Sequence, residues 1–248
     1  MNKEQIRKKL IQATKKKIQE KYSEHDIHII KAIRILEDLD NTTNLLIEQI
    51  KEWYSVHFPE MQELIQDNDK YIETLINTGN KQNFSITKTE KTIGKETATK
   101  LDKTKKESMG AKITDKDINT ILSLAKTCKN LREERNKLAK YIEETMKEEL
   151  PNFTAISGPM IGAKMLAKAG SKKKLAYMPA SRIQTLGAEK ALFLHIKKGK
   201  KPPKYGYLYQ HPTIQAQKPN KKGKTARKLA GKLAIAAKKD YFNQQQKK

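Results

Sequence analysis

Residues 186–195, LGAEKALFLH, have the composition of an anion-binding turn that leads into a helix. Gly187 and Ala188 carry almost no side-chain bulk, and the residues after them favour a helix that ends at Gly199. Free backbone N–H groups and the positive end of the helix dipole at such a turn can accept a phosphate without a basic side chain. Lys190 would add a positive charge on the first turn of the helix.

Residues 197–212, KKGKKPPKYGYLYQHP, combine lysines and tyrosines around two prolines. Lysines neutralise phosphates and aromatic rings stack on unpaired bases, so this combination suits RNA. Lys201 and Lys204 flank the rigid Pro–Pro pair and are the predicted contacts of this loop. Arg227 is a further candidate on the helix predicted for residues 225–241, although the basic side chains of that helix could equally form a solvated face.

Catalytic and metal-binding chemistry is not predicted for this chain. Glu189 and Asp240 are the two acids of residues 151–248, too few for a paired-carboxylate or metal site. Cys128 is the single cysteine, which excludes a disulfide framework and a cysteine-based zinc site. The histidines lack ligand or triad spacing, and the glycine motifs of nucleotide-binding loops are absent. We therefore expect no catalytic residues, no cofactor and no metal.

Positive charge is concentrated in the second half of the chain. The 248 residues contain 52 Lys and Arg and 28 Asp and Glu, a net charge of +24. Residues 1–150 hold 29 basic and 26 acidic side chains, whereas residues 151–248 hold 23 and 2. This imbalance predicts a polyanionic partner, and a protein that coats nucleic acid nonspecifically is one alternative. Since no apolar run could span a membrane and no signal peptide is present, we expect a cytoplasmic protein.

The first half has the apolar periodicity of two long helices, with steps of three and four along each. The first stripe lies at Ile29, Ala32, Ile33, Leu36, Leu39, Thr43, Leu46, Ile50 and Trp53. The second lies at Ile118, Ile121, Leu122, Ala125, Cys128, Leu131, Leu138, Ile142 and Met146. The stripes predict an antiparallel coiled-coil hairpin, but periodicity leaves open whether the hairpin buries them alone or extends them to a second copy.

The predicted fold is all-α, with a long antiparallel coiled-coil arm and a compact basic helical domain. Residues 1–24 are a basic helical segment, residues 25–150 the arm, residues 151–243 the basic domain, and residues 244–248 a tail. Within the arm, residues 79–111 lose the apolar periodicity and are rich in Lys, Thr and Gly, which predicts a mobile tip.

Several long segments of the chain resemble the Nop family, the RNA-binding core proteins of box C/D small ribonucleoproteins. GAEKALF, KKGKKPPKYGYLYQHP and KGKTARKLAGKLAIAAKKDYF are similar to its Nop domain. AIRILEDLDNTTNLLIEQIKEWYSVHFPE and MGAKITDKDI are similar to its coiled-coil arm. The resemblance runs from about residue 11 to residue 243, and it is closer to the archaeal type, because the spliceosomal member carries GAQ where this chain has GAEK.

The resemblance implies a scaffold for the guide RNA of 2′-O-methylation, nucleolar if the source is a eukaryote. The arm would pair with a second copy or a paralogue, and the Nop domain would bind a kink-turn RNA together with a small kink-turn-binding protein of ribosomal type. The turn would meet this composite surface and the helix would lie near the guide RNA; the residues carried over are Gly187, Ala188, Glu189, Lys190, Ala191, Phe193, Leu194 and His195. A splicing-type protein that binds a kink-turn RNA without directing methylation is the alternative.

The chain departs from the family pattern in two places. Only a short basic segment precedes the arm, so recruitment of the methyltransferase fibrillarin would require a separately supplied N-terminal domain. Leu194 stands where the family commonly has Arg, so a phosphate contact there would become apolar. For Glu189 we hypothesise that its carboxylate accepts hydrogen bonds from the partner protein or a base edge. The alternative is a first-turn acid that complements the helix dipole.

Overall fold

The structure, a computed structural model, describes residues 3–22 and 25–246. Every regular element in these ranges is helical, as the sequence predicts. The chain divides into two compact units: Leu36–Lys137 forms one, and the residues before 36 and after 137 form the other. The domain boundaries expected at residues 25 and 150 stay a prediction.

The helices differ greatly in length. In chain order they are α1 Lys3–Tyr22, α2 His25–Ser55, α3 Pro59–Leu64, α4 Asn68–Thr78, α5 Ile86–Ile93, α6 Lys95–Glu107, α7 Asp115–Glu149, α8 Pro151–Ser157, α9 Pro159–Ala169, α10 Lys172–Ala176, α11 Ala180–Thr185, α12 Glu189–Lys198, α13 Pro212–Gln215 and α14 Pro219–Gln246, with short 3-10 helices at Lys81–Asn83 and Tyr207–Gln210. The predicted N-terminal segment is thus helical as far as it is described, and α14 continues into the predicted tail. Residues 1, 2, 23, 24, 247 and 248 lie outside the described ranges.

Helices α2 and α7 run antiparallel within the Leu36–Lys137 unit. The Arg135 guanidinium donates to both carboxylate oxygens of Asp40, at 3.0 and 3.1 Å. Past the end of α2, the carbonyl oxygen of Val56 accepts the backbone N–H of Ala111, which precedes α7. Early residues of α2 in this unit thus contact late residues of α7, and the end of α2 lies beside the start of α7. The predicted antiparallel arrangement is therefore confirmed in this unit.

The buried stripe of α2 differs from the predicted one after Thr43. Ile47 is 1% exposed, whereas Leu46 is 37% exposed, and the same exchange occurs between Tyr54 and Trp53. Leu46, predicted to lie on a stripe that serves either the hairpin or a dimer, is therefore not among the residues buried inside the hairpin. Either a step of three or a step of four from Thr43 reaches an apolar residue, so the sequence pattern could not choose between them. The other predicted interface residues lie as expected: Ile33, Leu36, Ile50 and Ala125 are buried, and Leu122 is partly buried.

Residues 79–111, for which a mobile tip was predicted, contain a 3-10 helix, α5 and α6. Helix α5 packs against α4 and α6, and α6 packs against α3. Phe84, Ala98 and Leu101 belong to the same core as Ile50 of α2. The buried residues of this segment are few and are separated by Lys and Thr, which is why its apolar signal is weak in the sequence.

The second unit is organised around α14, which packs against α8, α10, α11 and α13. The Asp240 carboxylate, buried near the end of α14, accepts the backbone N–H groups of Asn152 and Phe153 at 3.1 and 2.8 Å. Helix α8 has no side-chain cap of its own, since Leu150 precedes Pro151 at its start. Asp240 therefore acts as the missing cap from a distant part of the chain, a stabilising structural role.

Candidate nucleic-acid interface

The turn before α12 is built on a close contact between Gly187 and the Tyr207 ring. Gly187 has φ +89°, a backbone conformation that residues other than glycine rarely adopt. A Cβ at this position would lie 2.7 Å from the ring, well inside van der Waals contact. The glycine is thus required twice, by its backbone conformation and by the space that Tyr207 occupies.

A second segment of the chain holds this turn in place. The backbone N–H groups of Gly206 and Tyr207 donate to the carbonyl oxygens of Gln184 and Leu186, at 3.0 and 2.7 Å. The Gln184 side-chain amide in turn donates to the Lys204 carbonyl oxygen at 2.6 Å. A Cβ on Gly206 would lie 1.9 Å from the Leu186 carbonyl oxygen, so only glycine permits this approach. The loop that follows α12 therefore returns to support the turn that precedes it.

Glu189 uses its carboxylate within its own chain. One oxygen accepts the backbone N–H of Gly187 at 3.0 Å, and the other pairs with the Lys168 ammonium of α9 at 3.2 Å. Burial alone would raise the pKa of this carboxyl, but the N–H groups of Gly187 and Glu189 and the charge of Lys168 lower it below its usual value. Because the N-cap residue Ala188 has no side-chain acceptor, Glu189 performs the capping function at the start of α12. This geometry favours the first-turn acid over the partner-directed acceptor.

Helix α12 buries none of its residues. Ile196 and Phe193 are 76% and 58% exposed, Leu192 is also exposed, and the Lys197 ammonium lies 5.2 Å above the Phe193 ring. Of the other predicted contacts on this helix, Lys190 and Ala191 are exposed and Leu194 and His195 are partly buried. An apolar helix face in solvent, flanked by lysines, is suited to contact with a further molecule.

Lys201, Lys204 and Arg227 come together in one cleft. They line a volume of about 570 Å³ together with Lys224 of α14 and the Pro202–Pro203 pair. A neighbouring cleft of about 680 Å³ lies on the other side of the same two prolines, where it is lined by Lys168, Arg182, Glu189 and Leu192 among others. Of the predicted contacts, Glu189, Lys201, Lys204 and Arg227 thus line two adjoining clefts. The lining of the clefts does not include the other predicted residues of the turn and α12, which are Gly187, Ala188, Lys190, Ala191, Phe193, Leu194 and His195.

The tyrosines of the loop also form a stack. The rings of Tyr205 and Tyr209 lie 4.8 Å apart and nearly parallel, and the Lys222 ammonium lies 4.9 Å from the Tyr209 ring. Tyr207, in contrast, turns inward beneath Gly187. Tyr207 therefore supports the turn, whereas Tyr205 and Tyr209 form the stacked pair.

Several residues of the interface were not identified from sequence. Lys168 and Arg182 precede the GAEK segment, and Lys224 lies three residues before Arg227. Their lysine and arginine side chains give no local signal in a chain half that already holds 23 basic residues. Only the packing of α9, α11 and α14 brings them to the clefts, so pattern reasoning had no means of singling them out.

Other kinds of site are not seen in the described parts of the chain. No group of three or more His, Cys, Asp or Glu is placed there to hold a metal ion. Burial raises the pKa of the Cys128 thiol above its usual value, against the opposing charge of Arg132, which suits a packing role. Within 3–22 and 25–246 no helix has both the length and the apolar character to cross a bilayer.

Comparisons with known proteins identify the family of the chain. A family profile described as Nop, snoRNA binding domain, fibrillarin, matches residues 35–248. The chain belongs to the Nop family. An uncharacterised NOP5 family protein of Methanocaldococcus jannaschii is 41% identical over 244 residues, which cover 97% of this chain and 59% of that protein. Nucleolar protein 58 of Homo sapiens is 36% identical over 219 residues, which cover 88% of this chain and 41% of that protein.

A solved structure extends the similarity to three dimensions. The crystal structure of a fibrillarin/Nop5p complex matches this Nop-family chain with a TM-score of 0.56 and 26% identity, over 96% of this chain and 69% of the matched one. The all-α fold and the predicted family are thereby confirmed. The chain spans only about two fifths to three fifths of the length of these curated relatives.

Proposed function

We propose that this chain is a non-catalytic, RNA-binding scaffold of a box C/D-type guide ribonucleoprotein. Its RNA would be a kink-turn RNA bound together with a small kink-turn-binding protein, as the family resemblance implies. The observation that carries the proposal is α12, a helix with no buried residue that begins at the Gly187 turn and lines one cleft with Glu189 and Leu192. The adjoining cleft is lined by Lys201, Lys204, Lys224 and Arg227. A rigid turn and clustered cations are together suited to a phosphate backbone held in one orientation.

The coiled-coil hairpin is proposed to pair with a second copy or a paralogue. Leu46, Trp53 and Leu124 are exposed on one side of the Leu36–Lys137 unit. With Ile50 and Cys128 they line a shallow apolar groove of about 90 Å³. Covering this groove with an equivalent helical hairpin would remove large apolar side chains from water, which is the usual basis of coiled-coil pairing.

Fibrillarin is the proposed methyltransferase of the assembly. The support is the similarity to the Nop5p chain of a fibrillarin complex, together with the family description. The relatives named nucleolar protein 58 suggest that the protein would lie in the nucleolus if its source is a eukaryote. The archaeal relative suggests a cytoplasmic location if its source is an archaeon. Co-elution of purified fibrillarin with this chain on gel filtration, with and without guide RNA, tests whether these residues suffice for recruitment.

The proposed RNA function is tested by binding to a kink-turn RNA with and without its small binding protein. A scaffold of the proposed kind binds the protein–RNA composite more tightly than either free RNA or a duplex without a kink-turn. Equal affinity for all three would contradict the proposal and favour nonspecific coating, which needs charge alone. Recovery of spliceosomal rather than guide RNA with the chain from its source cells would instead favour the splicing-type function.

A further inference from the structure

Three aromatic rings form an exposed cluster at the end of α14. Tyr177, which follows α10, makes edge-to-face contacts with Tyr241 and Phe242, at centroid distances of 6.1 and 6.0 Å, and the latter two rings lie 5.3 Å apart. Tyr177 is 62% exposed and Phe242 is 43% exposed. Edge-to-face packing fixes the orientation of the rings while it leaves their outer faces in solvent.

Lysines surround this cluster. Lys173 precedes Tyr177 by four residues and Lys238 precedes Phe242 by four, a spacing that places both pairs on one helix face or its continuation. Lys173 and Lys238 are exposed, as are their neighbours Lys174 and Lys239. Asp240, next to Tyr241, is buried and accepts N–H groups of α8, and Glu149 pairs with Lys172 of α10, so the four exposed lysines keep an excess of positive charge at this surface.

The cluster and the Lys204 side chain lie near opposite ends of α14. Gly223, near the start of that helix, lies beside the Lys204 side chain of the basic cleft. Tyr241 follows eighteen residues later, so a rise of 1.5 Å per residue separates the two regions by about 27 Å. The rings and the Lys204 side chain therefore lie on separate parts of the surface of one unit.

We propose that Tyr177, Tyr241 and Phe242 form a second RNA-binding site, which stacks unpaired bases while the flanking lysines contact the neighbouring phosphates. The inference deepens the proposed function and rests on it, since it takes RNA to be the ligand. Fixed aromatic faces with surrounding cations are the usual platform for single strands, and stacking needs no particular sequence. The exposed lysines on both sides of the rings favour a polyanionic ligand, such as RNA.

The site is tested with the full chain and a fluorescent oligouridylate in which some uridines are 4-thiouridine. Photo-crosslinking followed by mass spectrometry of the peptides maps the contact, and fluorescence anisotropy gives the affinity. We expect crosslinks at Tyr177 or Phe242 and a loss of affinity of about fivefold or more in Tyr177→Ala, the effect of one lost base stack. Tyr177→Trp should retain binding, because it preserves an aromatic face.

Tyr141 provides the matched control, since it is 43% exposed on α7 in the same unit but outside the cluster. Equal weakening by Tyr141→Ala, or unchanged affinity in the Tyr177→Ala/Phe242→Ala double variant, overturns the proposal. A double variant that keeps its RNA affinity but changes its mass in light scattering also overturns it, in favour of a protein contact. Binding of the kink-turn composite, measured in parallel, separates this outcome from failure of the proposed function, because the variants change neither the Gly187 turn nor the basic residues of the clefts.

Discussion

The Tyr207 ring occupies the space that a side chain on Gly187 would need. We therefore expect Gly187→Val to displace either the turn or the ring and to abolish recognition of the kink-turn composite. Weak, salt-sensitive binding to arbitrary RNA should remain, since the lysines of the clefts are unchanged. Titrations of the variant against kink-turn RNA, with and without the small binding protein, measure both effects.

Gly199 supplies the control for this prediction. It also has a positive φ, +62°, but a Cβ there would meet no atom within 4 Å. Gly199→Ala therefore introduces only the backbone strain, about 1–2 kcal/mol, without the clash. If Gly199→Ala lost composite binding as completely as Gly187→Val, the contact with Tyr207 would not be what positions the turn.

The pH dependence of the Glu189 cap has a definite sign. The pKa of its carboxyl is lowered in the folded protein from an ordinary value of 4.5. The cap therefore contributes its full stability above about pH 4.5 and loses it as the pH falls through the lowered pKa. The free energies of unfolding of the wild type and of Glu189→Gln, obtained from thermal unfolding, should differ by a constant, small amount from neutral pH down to about pH 4.5. The difference should vanish at lower pH.

Glu189 and Lys168 can also separate the two hypotheses for the carboxylate. If Glu189 acts within its own chain, Lys168→Met should reproduce part of the Glu189→Gln effect on turn stability and on composite binding. If it accepts a donor from the partner, Glu189→Gln should weaken the composite complex while Lys168→Met leaves it unchanged. Parallel titrations of the two variants against the same composite give this comparison.

Leu46 and Ile47 distinguish folding of the hairpin from pairing of hairpins. Ile47→Asp places a charge in the core of the Leu36–Lys137 unit and should cost several kcal/mol of unfolding free energy. Leu46→Asp places the same charge in the exposed groove, so the melting temperature of the monomer should change little while self-association is lost. Light scattering and thermal unfolding of both variants decide. A Leu46→Asp protein with unchanged mass would remove the groove from the proposed dimer contact.

Asp240 should be among the most sensitive acids of the chain. Asp240→Asn removes a charged acceptor and directs an amide donor toward the N–H groups of Asn152 and Phe153. Leaving buried donors unsatisfied should cost about 2–4 kcal/mol, measured by chemical denaturation. Asp69→Asn is the comparison, because that carboxylate is largely exposed and its pair with Arg132 should contribute no more than about 1 kcal/mol. Similar losses in the two variants would contradict the capping role.

The sequence predicted those features that depend on neighbours along the chain. Helical periodicity identified α2 and α7, and the small residues of Gly187 and Ala188 identified the turn. Tyr207 could not be recognised as its support, because the contact joins residues twenty positions apart and depends on how Gly206 meets Leu186. The choice between Leu46 and Ile47 was equally out of reach, since it depends on which face the remaining helices cover.

Variants of the cleft lined by Lys201, Lys204 and Arg227 test how much of RNA binding depends on charge alone. Each phosphate neutralised by a lysine contributes about 0.7 to 0.9 to the slope of log affinity against log salt concentration. Lys204→Ala and Lys201→Ala should each weaken binding to every RNA to a similar degree and reduce that slope by about one unit. Lys137→Ala, an exposed lysine of α7 paired with Glu134, should leave the slope unchanged.

The lysine variants are to be compared with Gly187→Val in the same titrations. A variant that lowers the salt slope without changing the preference for the kink-turn composite has lost phosphate contacts alone. Gly187→Val should do the opposite, with an unchanged slope on arbitrary RNA and no remaining preference for the composite. If the lysine and glycine variants lose affinity in parallel on every RNA, the turn does not read a specific surface. In that case the chain binds RNA through its charge, as a coating protein would.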